Sequence, residues 1–224
     1  APSGNVKKGT IALIDTGASK GGNVTEAVSM LGDDASDDNG HGSQMVQYIT
    51  EEDPDAKILS IKALDANGNG TPSSVTAAIH YAMERKVSVI NLSLSGTKTA
   101  ESSAVEEAVK EAVNAGITVI GAAGNNGKNA KYYIPGEIAE AVIAGSVDRE
   151  GKKLSSSNYG DTVDYYVVSA STSEAAARLS GIFSKEGKIT ADDKKVFEDV
   201  TPVKDNAAED KDKTEENASG DLQA

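Results

Sequence analysis

Residues 87–122 read VSVINLSLSGTKTAESSAVEEAVKEAVNAGITVIGA, and the fold is decided there. The two ends, Val87–Leu94 and Ile117–Ala122, are β-branched and apolar at alternating and intervening positions alike, as strands buried on both faces are. Between them Ala104, Val105, Ala108, Val109, Ala112 and Val113 recur at helical spacing, and Gly116 supplies a C-cap. Strand, helix and strand in this order make a βαβ unit.

Outward from that unit the pattern repeats. Thr10–Ile14, Lys57–Leu64 and Ala141–Val147 read as further strands, several of them apolar on both faces. Val75, Ala78, Ile79, Ala82 and Met83 lie on one helical face, with Ser73 or Ser74 at the helix start. The expected architecture is α/β: a single domain with a mainly parallel, doubly wound sheet and helices on both faces. Active sites in such sheets gather at the carboxyl ends of strands, where Asp15 and the run Asn91–Ser95 fall.

A chain of 224 residues can bury one sizeable core, and residues 1–203 are assigned to that domain. Residues 204–224 read as an acidic polar tail, solvated and without a catalytic role, because apolar periodicity is lost there. The 22 basic and 35 acidic residues give a formal charge of −13, which disfavours nucleic acid or an anionic membrane as a partner. With no cysteine and two histidines, disulfide frameworks and Cys-based zinc sites are excluded, and a bound metal is expected to be oxygen-ligated. No apolar run approaches the roughly 20 residues of a membrane span. The first residues carry no signal-peptide pattern, so a soluble chain is expected, any leader having been removed.

Three segments carry chemistry. Asp15-Thr16-Gly17 places a carboxylate at a strand end before a tight turn, where it serves either as a turn or cap residue or as an orienter of an imidazole. His41 lies between Gly40 and Gly42 ahead of Met45, Val46 and Ile49, at a helix start, as base, cap, ligand or core residue. Ser173 opens an alanine-rich helical run, Ala175, Ala176 and Ala177 followed by Gly181. It is either an N-cap or a nucleophile whose helix N-terminus would favour a developing oxyanion. Acid, base and nucleophile in the order Asp, His, Ser match one known arrangement for acyl transfer. His80, in mid-helix, is given a surface or packing role.

These segments resemble those of the subtilases, the subtilisin-like serine proteases, from about Gly9 to Gly181. Asn39-Gly40-His41-Gly42-Ser43 is similar to that family's histidine motif, with Ser43 where Thr is usual. Gly68-Asn69-Gly70 and Ser93-Leu94-Ser95 are similar to the two segments that pair with an extended peptide substrate, which implies recognition by β-augmentation. Ala122-Ala123-Gly124-Asn125 resembles the oxyanion segment. The resemblance implies that Asp15 orients the base, His41 is the base, Ser173 attacks and Asn125 donates to the tetrahedral intermediate. No cofactor is required for that chemistry, while weak structural calcium is compatible with the family. An extended peptide or protein substrate, a prodomain or inhibitor as a further partner, a monomeric state and secretion are likewise implied.

The chain also departs from the family pattern. Ser171 replaces the usual Gly, Ala177 the usual Pro, and Glu174 a small or apolar residue; Glu174 either complements the helix dipole or faces the cleft. The run Asp164–Ser173 is short, implying that the strand and hairpin delivering the serine are missing, and Gln47–Lys57 lacks the calcium loop. The small residues around Ser93–Ser95, Ala123, Gly124 and Tyr133–Gly136 imply a roomy apolar slot for a substrate side chain. Two rival readings remain: a non-catalytic peptide-binding or scaffold module, and a nucleotide-binding domain built on Gly121–Gly127. The second lacks both a dinucleotide fingerprint and a phosphate-binding loop.

Overall fold

The computed structural model describes residues 9–187 and 220–224. Within them the order is β1 (Thr10–Asp15), β2 (Val24–Ser29), α1 (His41–Glu52), β3 (Lys57–Lys62), β4 (Asn69–Gly70), α2 (Pro72–Glu84), β5 (Val89–Leu92) and β6 (Gly96–Thr97). There follow α3 (Ser103–Asn114), β7 (Thr118–Ala122), β8 (Tyr133–Ile134), β9 (Val142–Val147), β10 (Tyr165–Val168), α4 (Thr172–Glu186) and β11 (Leu222–Gln223). The five strands expected from two-sided apolarity are all present, and β5 is flanked by α2 and α3 as the βαβ reading requires.

Seven strands form one sheet in the order β10-β9-β7-β5-β1-β3-β2, each neighbouring pair parallel. Alternation along β1 shows why: Ala12 and Ile14 belong to one core, Ile11 and Leu13 to the other, and all four are fully buried. The first core is closed by Val75, Ala78 and Ile79 of α2 with Val105, Ala108 and Val109 of α3. On the opposite face Met45 and Ile49 of α1 meet Ala175, Ala176, Leu179 and Phe183 of α4. The sheet is therefore wound on both faces. Its strand order reverses between β1 and β5, and the carboxyl ends at such a switch point form the crevice where ligands bind.

Local chemistry sets the helix ends. Helix α2 begins earlier than expected: Thr71, not Ser73 or Ser74, is the N-cap, with Ser74 closing a reciprocal capping box and Pro72 in the first turn. Helix α3 ends as the sequence indicates, since Gly116 takes φ 87° and its N–H and that of Ile117 bond Val113 O and Ala112 O. A strand also precedes the serine, contrary to expectation. Tyr165–Val168 pairs with β9 and carries the chain to α4.

Residues 188–203, assigned to the domain, and most of the expected tail, 204–219, lie outside the described residues. The last five are described, and they do not form a wholly solvated tail: Gly220 and Leu222 are buried and Asp221 is half-buried, while Gln223 and Ala224 are exposed, and Leu222 pairs with Gly70 of β4.

Candidate active site

Asp15 ends β1 at the switch point and is fully buried. Its Oδ1 accepts from Thr16 N and lies 2.7 Å from His41 Nδ1. A carboxylate can only accept, so the proton sits on Nδ1 and the lone pair of neutral His41 is on Nε2. Asp15 Oδ2 is buried with no hydrogen-bond partner among the described residues, so its charge is compensated chiefly through His41.

The imidazole is held against that carboxylate by the way α1 begins. Gly40 caps the helix with φ 100° and has no side chain to offer, so the first-turn N–H groups bond elsewhere. His41 N donates to Asn39 Oδ1, Gly42 N to Thr16 Oγ1 and Ser43 N to Asp37 Oδ2. Thr16 thus ties the strand end bearing Asp15 to the helix start bearing His41. Contact is close enough that a Cβ on Gly42 would sit 2.1 Å from Gly17 O, which requires glycine there.

Asp37 organises this turn, a role the sequence reading missed. Its carboxylate also accepts from Gly40 N, Asn39 N, Ser43 Oγ and Thr16 Oγ1. Partial burial opposes the charge, but the hydrogen bonds from Ser43, Gly40 and Thr16 outweigh it and bring the carboxyl down to about 2. A folded-state pKa below the unfolded value contributes stability that is present above about pH 4 and lost as pH falls toward 2. With Asp37 half-exposed and screened, Asp37→Ala should lower stability at pH 7 by about 1 kcal/mol. Thermal melts of both proteins at pH 7 and pH 2.5 check this, the Tm difference shrinking at the lower pH.

Burial works against a charged His41, but the Asp15 hydrogen bond and the charges of Asp15 and Asp37 prevail, raising its pKa above the ordinary 6.5. The protonated pair therefore contributes stability fully below about pH 6.5, and that contribution is lost as pH rises through the raised folded value.

Ser173 occupies the first turn of α4, but the N-cap is Ser171, whose hydroxyl accepts from Glu174 N. Capping by Ser171 releases the Ser173 hydroxyl, which donates to Ser93 O at 3.2 Å rather than bonding His41. Ser93 Oγ in turn donates to Ser173 O, and Asn91 Nδ2 donates to Ser93 Oγ, fixing the serine to the end of β5. Asn125 Oδ1 accepts from both Thr172 N and Thr172 Oγ1. The anchored carbonyl leaves the Nδ2 group of Asn125 as a donor beside Ser173, in one cavity of about 520 Å³. Asn158, fully buried and unremarked in the sequence, holds this loop through Asn126 N, Lys128 N and Ala123 O.

Glu174 faces away from that cavity. Its oxygens accept from Ala170 N and Arg178 Nε, and Arg178 also pairs with Glu51 and Glu52. The carboxylate is thus a clamp between α4 and α1, where Gly181 lets the helices approach: a Cβ there would stand 2.6 Å from Ile49 O.

Leu94 and Ser95 line the cavity with Asn125, Asn126, Lys128 and Thr172, so its wall is more polar than the expected apolar slot. Ser93, Ala123 and Gly124 are buried behind it, and Gly68, Asn69 and Gly70 lie along an adjoining groove. His80, half-exposed, meets Glu111 on the surface. Helix α1 runs unbroken from His41 to Glu52, and the described residues hold no cluster of three or more His, Cys, Asp or Glu side chains placed to hold a metal ion. Among them, no helix is long and apolar enough to cross a membrane.

A parallel doubly wound sheet carrying a buried Asp–His pair and a helix-borne serine at its switch point defines a serine-hydrolase-like α/β class. Residues 7–176 match the subtilase family, and the chain belongs to it. It is 30% identical to a thermostable alkaline protease of Halalkalibacterium halodurans, over 77% of this chain and 55% of that protein. It is 32% identical to thermitase of Thermoactinomyces vulgaris over 76% of this chain and 68% of that one. The extracellular serine proteinase of a Thermus species is 34% identical over 64% of this chain and 36% of its own length. The chain thus spans about half the length of several of the relatives it matches. A cold-adapted subtilisin-like serine proteinase of known structure superposes with a TM-score of 0.74 over 82% of this chain and 77% of that one, at 24% identity.

Proposed function

We propose that the chain is a serine endopeptidase in which Asp15, His41 and Ser173 form the triad and Asn125 serves the oxyanion. The observation that carries this reading is the 2.7 Å contact between buried Asp15 and His41 Nδ1 at the sheet's switch point. Asp15 holds the imidazole in the tautomer with Nε2 free, and attack requires the Ser173 hydroxyl to turn from Ser93 O to that nitrogen. His41 takes the proton as Ser173 Oγ bonds the peptide carbonyl carbon, then returns it to the leaving amine as the C–N bond breaks. Water repeats the sequence on the acyl-enzyme.

The oxyanion is met by Asn125 Nδ2 and the Ser173 N–H, a first-turn donor with no carbonyl below it in the helix. All parts are side chains or backbone, so the steps need no cofactor, and any calcium would be structural. Removing one oxyanion donor costs a factor of about 10² to 10³ in kcat, a scale measured on subtilisin itself. Asn125→Ala should show that loss with KM little changed, in initial-rate assays on a chromogenic peptide.

Because His41 must be neutral to act as base, kcat/KM should rise with pH along a limb whose midpoint lies above 6.5. Asp37 supports the raised value, so Asp37→Asn should move the midpoint down; a pH–rate profile of both proteins reads this directly. Hydrolysis of an unstructured protein such as casein, lost on serine-directed inhibition, tests the endopeptidase reading.

The substrate is an extended peptide, entering between the segments around Gly68–Gly70 and Ser93–Ser95. Secretion as a monomer, with a prodomain or inhibitor as a second partner, is part of the same proposal. It draws on relatives such as the Thermus proteinase named as extracellular.

A further inference from the structure

Residues 220–224, Gly-Asp-Leu-Gln-Ala, run between the two segments just assigned to substrate. Leu222 and Gln223 pair antiparallel with Gly70 and Asn69 on one side. On the other, Gln223 N donates to Ser95 O and Ser95 N to Gln223 O, both at 2.8 Å, while Ala224 N extends the first side by donating to Gly68 O at 2.9 Å. The occupant is thus a third strand bonded on both edges, which is how β-augmentation binds a peptide.

Side chains fit as well as backbone. Leu222 is the single large apolar residue between Lys204 and Ala224, and it is fully buried in the core that includes Leu64 and Leu94. A Cβ on Gly96 would lie 2.5 Å from Asp221 O and 3.2 Å from Leu222 Cδ2, so the groove wall is closed against this segment. Ala224 and Gln223 line the same cavity as Ser173 and Asn125. The strand therefore forms part of the wall of the cavity that holds Ser173.

Resting on the peptidase reading, we infer that residues 220–224 are an internal competitor, a segment of the same chain that occupies the peptide-binding groove and must leave before substrate binds. A tethered occupant acts at an effective concentration of about 1 mM, so one with intrinsic affinity near 0.1 mM would weaken substrate binding about tenfold. Competition of this kind raises KM and leaves kcat unchanged.

The test compares the full chain with two full-length variants, Leu222→Asp, which places a charge where the groove is apolar, and Gln223→Pro, which removes the donor to Ser95 O. Binding of the fluorescein-labelled peptide acetyl-Gly-Asp-Leu-Gln-Ala is measured in a Ser173→Ala background, where turnover plays no part. Both variants should bind it about tenfold more tightly while keeping the parent's circular dichroism. In the Ser173 background, KM for a chromogenic peptide should fall by a similar factor at unchanged kcat. Equal peptide affinity in parent and both variants overturns the competitor. A small fluorophosphonate, which needs Ser173 but not the strand groove, keeps the two readings apart. Absent labelling in all three proteins tells against the peptidase, whereas the binding result stands or falls without it.

Discussion

Ser173→Ala and His41→Ala should each abolish peptide hydrolysis, lowering kcat by a factor of about 10⁶, the scale found in subtilisin for its own serine and histidine. Both changes leave the fold intact for stated reasons. Ser173 contributes one hydroxyl bond, to Ser93 O, and the reciprocal bond from Ser93 Oγ goes to its backbone carbonyl, which alanine retains. His41 sits at a helix start whose N–H bonds run through Asn39, Thr16 and Asp37, none through the imidazole. The double variant should be no worse than either single one, because nucleophile and base act as one unit. Activity surviving Ser173→Ala would place the nucleophile elsewhere, Ser171 and Ser180 being two of the neighbouring serines. Yet Ser171 is committed as the helix cap, and Ser180 is buried against Asn91 Oδ1 and Ala176 O.

Asp15→Asn should cost about 10⁴ in kcat with a small change in KM. The amide is nearly isosteric, so the tie to α1 through Thr16 Oγ1 and Gly42 N persists, although an NH₂ in the place of Oδ1 gives up the bond from Thr16 N. What changes is donor logic. An amide presenting its NH₂ to Nδ1 forces the proton onto Nε2, the atom that must accept from Ser173. The same change removes the charge that raises His41, so the imidazole should titrate at lower pH, an effect that NMR of the two-histidine chain can follow on one ring while His80 serves as reference. A kcat loss without that fall in pKa would mean that Asp15 acts by packing alone.

Much of the architecture was legible because central parallel strands are buried on both faces and say so in their composition. The two long strands that escaped notice, β2 and β10, are the edges of the sheet. Thr25 and Glu26 in one and Tyr165 and Tyr166 in the other are at most half-buried, so neither segment shows the continuous apolar run that marked the centre. The two-residue strands β4, β6, β8 and β11 are products of tertiary pairing and have no local signature.

Site residues divide in the same way. Asp15 and His41 announce themselves through the glycines beside them, which allow the close approach of Gly42 to Gly17. Whether Glu174 faced the cleft could not be read from its neighbours, since the answer lies in Arg178 reaching across to Glu51 and Glu52, over 120 positions away in the chain. Asp37 stands four residues before His41 in an Asx-rich turn, a local signal that was there to be found. Leu222 was hidden for a different cause. In a stretch of Asp, Glu, Lys and Asn a lone leucine carries no periodicity, and only the groove between Gly70 and Gly96 gives it a place.

Intact mass after exposure to a fluorophosphonate, run on this chain beside Ser173→Ala and His41→Ala, shows whether Ser173 is a nucleophile activated by His41. One adduct per chain is expected, located on Ser173 by peptide mapping and absent from both variants. Folded protein that takes up no label, or label that persists without His41, would contradict that assignment.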